Sequence, residues 1–281
     1  MPAPDLPPPP TFDVPRQRPL HVHVHALRVA PEELAGCVVV VIDAIRASVT
    51  ITRALAEGAA SVVPVLTADD ARAVREQLLG GGPATHANGA GPHGAIGAGG
   101  ILLGGERGGI LIPGFDLDNS PLSYTRDRVL GATIVFTTSN GTAGLLRARL
   151  ASRVLVGSFA NASAIVEAIA DDPRPVHILC CGTRSEISLD DCLPAGAMVE
   201  RLASRGRELS TDDGARFCAL AWRAVRDDRG ALLEAMRSSR GGRNIVRMGL
   251  GADVEYCATI DSLAVVPEFF PREPIPSIRP A

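Results

Sequence analysis

CVVVVIDAIRASVTITRALAEG, residues 37–58, is the stretch that decides the fold. Residues 37–43 form an apolar run closed by an acid, Asp43. A run this short and this rich in valine reads as a strand buried on both faces. A helix follows from about Ala47 to Glu57, and Gly58 stops it. A strand leading directly into a helix is the building unit of α/β proteins, so the question is whether the unit repeats.

It does. SVVPVL (61–66) and the helical segment ADDARAVREQLL (68–79) make a second unit. ATIVFTT (132–138) turns through Ser139-Asn140-Gly141 into a helix over 142–150. RVLVGS (153–158) leads to the helix NASAIVEAIA (161–170), with Asn161 as its N-cap. PVHILCC (175–181) leads to a helix over 189–204. Further helices are expected over 214–226 and 230–238, and DVEYCATI (253–260) with LAVVPEF (263–269) reads as closing strands. The pattern predicts an α/β fold with largely parallel or mixed sheets flanked by helices. Two lobes meeting near residues 125–132 are expected, with the site in the cleft between strand ends. Residues 1–19 read as a proline-rich tail and 80–100 as a flexible Gly/Ala/Pro connection, leaving 20–281 as the folded unit.

Composition narrows the function. The 281 residues carry a net charge of −3, which gives no footprint for nucleic acid. All 28 basic side chains other than histidine are arginine. A Schiff-base or phosphate-loop lysine is therefore excluded, and any anion must be held by arginine, backbone N–H or a metal. The six cysteines form no CxxC pair, which argues against a disulfide scaffold or zinc knuckle. No charged-then-apolar leader is visible, and no apolar run approaches the ~20 residues that span a bilayer. A soluble, cytoplasmic protein without membrane contact is expected.

Several segments carry candidate chemistry. Asp43 at a strand end is placed to bind a hard cation and Arg46 to clamp an anion; alternatively, Asp43 caps the next helix and Arg46 pairs with it. SNGT (139–142) is either an anion-binding turn or a plain strand-to-helix connection. CCGTRSEISLDDCLPAG (180–196) offers Thr183, Arg184, Asp190 and Asp191, but Ser188 with Asp191 also matches a capping box. Cys181 is an open nucleophile candidate, although Ile187 stands where a Cys-x5-Arg phosphatase loop needs arginine. HVHVH (21–25) puts His21, His23 and His25 on one strand face, read as the wet face of an edge strand rather than a metal site. FDLDN (115–119) lacks the preceding buried strand that Asp-x-Asp phosphatases require. GILLGGERGGILIPGFDLDNSP (100–121) is too glycine-rich for a helix and too charged for an ordinary buried strand. It reads as a pliable loop that carries Glu106, Arg107, Asp116, Asp118 and Asn119 between its glycines.

Taken together, VVVIDAIRASVTI, LLGGERGGILIPGFDLDNSP, IVFTTSNGT, VLVGSFANAS, CGTRSEISLDDCLPAG and SSRGGRNIVRMGLGADVEYCATIDSLAVVP resemble the 2-phosphosulfolactate phosphatases, from about residue 37 to 267. The resemblance implies a Mg²⁺-dependent phosphatase that converts 2-phospho-3-sulfolactate to 3-sulfolactate and phosphate, a step towards coenzyme M. It implies catalytic roles for Asp43, Arg46, Glu106, Arg107 and Cys181. Substrate contacts would come from Asn119, Ser120, Ser139, Asn140, Gly141, Thr142 and Arg184, and metal ligands from Asp43, Glu106, Asp116 and Asp191. Metal-activated water and a covalent phospho-enzyme both stay open as mechanisms. Asp118 and Glu186 stand where the resembled pattern usually has glycine, and Asp118 would add negative charge near the site. The rivals are a phosphatase of the same architecture for another small phospho-hydroxy acid and a non-catalytic binder of anionic metabolites. A homo-oligomer is an open expectation.

Overall fold

The computed structural model of the chain describes residues 18–80, 99–210 and 212–281. Most of the expected proline-rich tail and of the 80–100 connection lies outside these residues. Pro19, assigned to the tail, already begins the first strand.

Eleven strands form one sheet. They are β1 (Pro19–His23), β2 (Val38–Ile42), β3 (Ser61–Pro64), β4 (Ile101–Arg107), β5 (Ile110–Leu111), β6 (Thr133–Thr137), β7 (Arg153–Val156), β8 (Val176–Cys180), β9 (Glu208–Leu209), β10 (Pro267–Phe270) and β11 (Ser277–Pro280). Their order is β5-β4-β6-β3-β11-β10-β7-β2-β8-β1-β9. Strands β4, β6 and β3 run parallel, as do β7, β2, β8, β1 and β9. The antiparallel hairpin β10–β11 stitches these two groups together, pairing with β7 on one side and β3 on the other. The sheet is therefore mixed, with two parallel halves.

The helices are α1 (Ala47–Ala56), α2 (Ala68–Leu78), α3 (Arg126–Val129), α4 (Gly141–Arg147), α5 (Ala162–Ile169), α6 (Leu189–Ser204), α7 (Gly214–Arg223), α8 (Arg229–Ser238), α9 (Arg240–Arg247) and α10 (Gly251–Cys257). Strand β2 shows why the valine run forms where it does. Val38, Val40 and Ile42 join the core beneath α5 and α6, with Ile165, Leu193 and Val199. Val39 and Val41 join the opposite core, with Ile51 and Leu55 of α1 and Leu145. Successive side chains alternate faces, so a strand covered on both sides must be apolar at every position. The second core also takes in Val62, Leu102 and Ile134 of the other half, so one buried cluster runs under both halves. Residues 126–129 form α3 and lead into β6, a strand paired on both sides.

Four local readings are corrected. ILLGGER is the parallel strand β4, because Gly105 admits a close approach: with φ 136°, its missing β-carbon would lie 1.9 Å from the Thr137 carbonyl oxygen. DVEYC belongs to helix α10, not to a closing strand. Strand β1 lies between β8 and β9 rather than at the edge, and its histidine row is completed by His177 of β8 instead of His25. Asn161 holds the N-cap position of α5, but its side chain makes no cap bond there; Oδ1 instead accepts from the Ser158 N–H at 2.9 Å. Three cysteines also meet where sequence spacing gave no sign: Cys180, Cys192 and Cys218 share one spot in the core, from β8, α6 and α7.

Candidate active site

Side chains from both halves reach one cavity of about 290 Å³. Asp43 follows β2, Glu106 is the next-to-last residue of β4, Ser139 and Asn140 follow β6, and Thr183 and Arg184 follow β8. The two parallel halves run opposite to one another through the hairpin, yet these carboxyl ends meet. Sheet twist of roughly 20–25° per strand, accumulated between β2 and β4, turns one half far around relative to the other. Helix α9 closes the cavity with Asn244, Ile245 and Arg247.

Asp43 is 7% exposed and lines the cavity. Its carboxyl is pushed up to about 7, first by burial and then by the charges of Asp190 and Glu106. Arg46 and the Ala47 N–H favour the charged form. Gly141 lets the turn after β6 lie against Asp43, since a β-carbon there would sit 2.8 Å from Oδ2. Glu106 is buried and engaged: Oε1 accepts from the Ser139 N–H at 2.7 Å, and Oε2 accepts from the Gly109 N–H at 2.5 Å. It therefore pins two cavity-lining loops. The Ser139 N–H, expected to meet an anion, is already committed to this acid. Asn119 lines the cavity while its buried Oδ1 has no partner.

Arg46 is buried, with NH1 2.7 Å from Asp253 Oδ2 and NH2 donating to the Gly109 carbonyl at 3.0 Å. Its charge is thus neutralised from within, and it orients the cavity wall rather than standing free as a clamp. Ser120 supports the pair by donating to Asp253 Oδ1 at 2.6 Å instead of facing the cavity. Arg184 and Arg247 line the cavity, and their guanidinium groups make no hydrogen bond or ion pair among the described residues. They are the cations available to a ligand.

The remaining sequence candidates lie elsewhere. Arg107 neighbours Glu106 on a strand, so the two point to opposite faces. Its guanidinium donates to Thr137 Oγ1 at 2.7 Å and to the Leu66 carbonyl at 2.5 Å, away from the cavity lining. Asp116 accepts from the Leu103 N–H at 2.8 Å and shapes the loop after β5. Asp118 accepts from the Ser120 N–H at 3.0 Å, so its charge closes a turn and does not line the cavity. Thr142, in the first turn of α4, donates to the Thr138 carbonyl before the helix at 3.1 Å. Asp191 forms no capping box: Oδ1 accepts from the Ala44 N–H at 2.8 Å and Oδ2 from the Gly182 N–H at 2.7 Å. It ties together the loops after β2 and β8. Cys181 is buried against Gly144, and burial, with Asp43 and Asp191, pushes its thiol well above the ordinary value. A thiol held protonated is a poor nucleophile.

Sequence reasoning missed Asp253, Asn244 and Arg247. Asp253 lies on α10, whose DVEYCATI run has the apolar spacing of a strand, and the others sit on α9, whose four charged or amide residues among eight mask a short helix. Asp190 belongs with them. It is buried, accepts from Ser188 Oγ, and raises the Asp43 carboxyl.

Fold and cavity together define an α/β protein with a polar cavity at the carboxyl ends of strands from both sheet halves. A family model for 2-phosphosulpholactate phosphatase matches residues 24–270. A protein of Symbiobacterium thermophilum named a probable 2-phosphosulfolactate phosphatase is 40% identical over 238 residues, covering 85% of this chain and 93% of its own length. A relative of the same name from Deinococcus radiodurans is 36% identical, covering 85% of this chain and 90% of its own. The chain belongs to the 2-phosphosulpholactate phosphatase family, whose members are phosphoric monoester hydrolases. Among the described residues, no helix is long and apolar enough to cross a membrane.

Proposed function

We propose that the chain hydrolyses 2-phospho-3-sulfolactate to 3-sulfolactate and phosphate, with Mg²⁺ bound beside Asp43, as a step towards coenzyme M. The observation that carries this reading is a cavity with oxygen donors at its base and unpaired arginines at its rim. Asp43 and the orphaned Asn119 Oδ1 face a space bordered by Arg184 and Arg247. The substrate bears phosphate, sulfonate and carboxylate, so it needs both a cation and several positive groups.

The donor chemistry suits Mg²⁺. All the candidate ligands are oxygens, which hard cations prefer. Among the described residues, no three carboxylates come within 4.8 Å of one another. That fits an ion held by one or two carboxylates and completed by water and substrate. Bound Mg²⁺ would neutralise charge on the transferring phosphoryl group. Asp43 and Asn119 would hold the ion. Glu106 keeps Ser139 and Gly109 in place, the Arg46–Asp253 pair fixes the wall between them, and Asn140 and Asn244 offer amide contacts. Arg184 and Arg247 bind and orient the non-reacting anionic groups.

Phosphate release from a panel of phospho-acids, with Mg²⁺ or with EDTA, tests the reading. Turnover of phosphosulfolactate that EDTA abolishes is expected. Turnover indifferent to EDTA would remove the metal, and turnover confined to phospholactate or phosphoglycolate would change the substrate.

A further inference from the structure

Strands β2 and β8 are neighbours, and their ladder ends with the Cys181 N–H donating to the Ile42 carbonyl at 2.8 Å. Beyond that bond no backbone pairing joins the two chains among the described residues. One chain goes on to Asp43 and the other to Thr183 and Arg184, and all three line the cavity. Ala44 follows Asp43, and Gly182 precedes Thr183. Both are buried, so their N–H groups need partners that the ended ladder no longer supplies.

Asp191 supplies both. It lies in the first turn of α6 and is 2% exposed. Its Oδ1 accepts from the Ala44 N–H at 2.8 Å and its Oδ2 from the Gly182 N–H at 2.7 Å. One planar carboxyl group thus spans the two loops where the ladder has stopped. The β2 loop has a second hold, because the Asp43 N–H donates to Ser48 Oγ at 2.8 Å. The β8 loop has less support of its own. Gly182 has φ 72°, and Arg184 and Ser185 take φ 52° and 63°, a region that residues other than glycine rarely adopt. Such a turn persists only where its surroundings hold it.

Burial, with the charges of Asp190 and Asp43, pushes the Asp191 carboxyl up, and its two N–H bonds favour the charged form. Both oxygens can accept in either protonation state, so the bridge does not depend on that titration. Asparagine cannot replace it, because its Nδ2 would set a donor against one of the two N–H groups.

We infer that Asp191 is a positioning residue for the reaction, which fixes the Asp43 loop relative to the Arg184 loop by bridging Ala44 and Gly182. It does not line the cavity and acts through its neighbours. Arg247, on α9, lies outside the bridge. The consequence for turnover rests on the hydrolytic reading above; the bridge itself rests on the two backbone bonds.

The test uses the full chain carrying Asp191→Asn, with phosphosulfolactate and Mg²⁺. The kcat should fall by about 100-fold, as for a reacting group displaced by about 1 Å. The KM should rise by about tenfold as Arg184 leaves the substrate. Adding Arg184→Gln should then raise KM by less than about twofold, whereas adding Arg247→Gln should still raise it by about tenfold, because sites without shared partners act additively. Equal additivity of the two arginines, or a kcat within about twofold of the parent, would overturn the inference. Asp191→Ala removes the bridge without adding a donor; it should show the same pattern and serves where Asp191→Asn does not fold.

Backbone hydrogen exchange reads the bridge without turnover. The Ala44 and Gly182 amides should be protected in the parent and exchange about tenfold faster or more in the variant, while those of Val39, Val40 and Val41 keep their rates. Unprotected amides in the parent, or equal acceleration along β2, would overturn the inference. A parent that hydrolyses no phospho-acid would remove the hydrolytic reading and leave exchange to decide the bridge.

Discussion

Gly141 and Asp43 stand so close that a β-carbon on the glycine would lie 2.8 Å from the Asp43 Oδ2. The same β-carbon would lie 2.8 Å from the β-carbon of Ala47. Gly141→Ala must therefore move the aspartate or the turn. Displacement of a reacting group by about 1 Å can reduce the rate by about 100-fold. The variant should lose at least that much kcat/KM while melting close to the parent, since alanine is the better helix residue. Unchanged kinetics would mean that Asp43 is not positioned by this contact.

Asp43→Asn separates the cation site from the helix-cap alternative. Activity should fall by about 1,000-fold or more, as for removal of a group used in the transition state. Mg²⁺ should raise the Tm of the parent and leave that of the variant unchanged. In EDTA the variant should melt at or above the parent, because an amide avoids the cost of a buried charge. A variant that keeps most of its activity would reduce Asp43 to a cap on α1.

Arg184→Gln and Arg247→Gln address the cavity rim. Each should raise KM by about tenfold with kcat within about twofold, the signature of lost uniform binding. The dependence of kcat/KM on ionic strength should flatten in both. A loss confined to kcat would instead place these arginines at the reacting phosphoryl group.

The Arg46–Asp253 pair should behave as a buried ion pair at 2.7 Å. Asp253→Leu alone strands a buried guanidinium, and Arg46→Met alone strands a carboxylate. Either should cost about 3–5 kcal/mol in denaturant unfolding. The double variant should recover much of that loss, whereas additive losses would show that the two groups act separately.

The histidine row predicts acid sensitivity. His177 is pushed down to about 4 by burial and by His21 and His23, and His23 is also lowered. Unfolded histidine titrates near 6.5. Between these values the unfolded chain binds more protons, so stability falls as pH drops from about 6.5 to 4. Asp212 and Glu33 oppose the shift without reversing it. His177→Gln should shrink the Tm difference between pH 7.5 and pH 5; an unchanged difference would exclude the row as its source.

The fold was legible where the period of the apolar residues was unambiguous. β2, α1, β6 and α6 follow from their runs and stops. β4 was not legible, because glycine at 104 and 105 hides a strand whose close approach to β6 demands it. The cavity lining was legible at Asp43, Glu106, Asn119 and Asn140, which lie at strand ends or in motifs that meet in space. Arg107 turns away from the cavity because side chains alternate along β4, a strand that its glycines conceal in the sequence. The pairing of Arg46 was not legible, because its partner, Asp253, lies 207 residues away. Long-range pairing decides whether an arginine is free, and local sequence does not carry that information.

The β10–β11 hairpin is the last part of the sheet in chain order, yet it is the seam between the two parallel halves. During synthesis both halves must wait with open edges at β3 and β7 until this hairpin emerges. Contacts of such long sequence separation form late and leave strand edges exposed to wrong partners. Asp43 belongs to one half and Glu106 to the other. The cavity that both line is thus complete only when the seam closes, and a nascent chain stalled before β10 is expected to be prone to self-association.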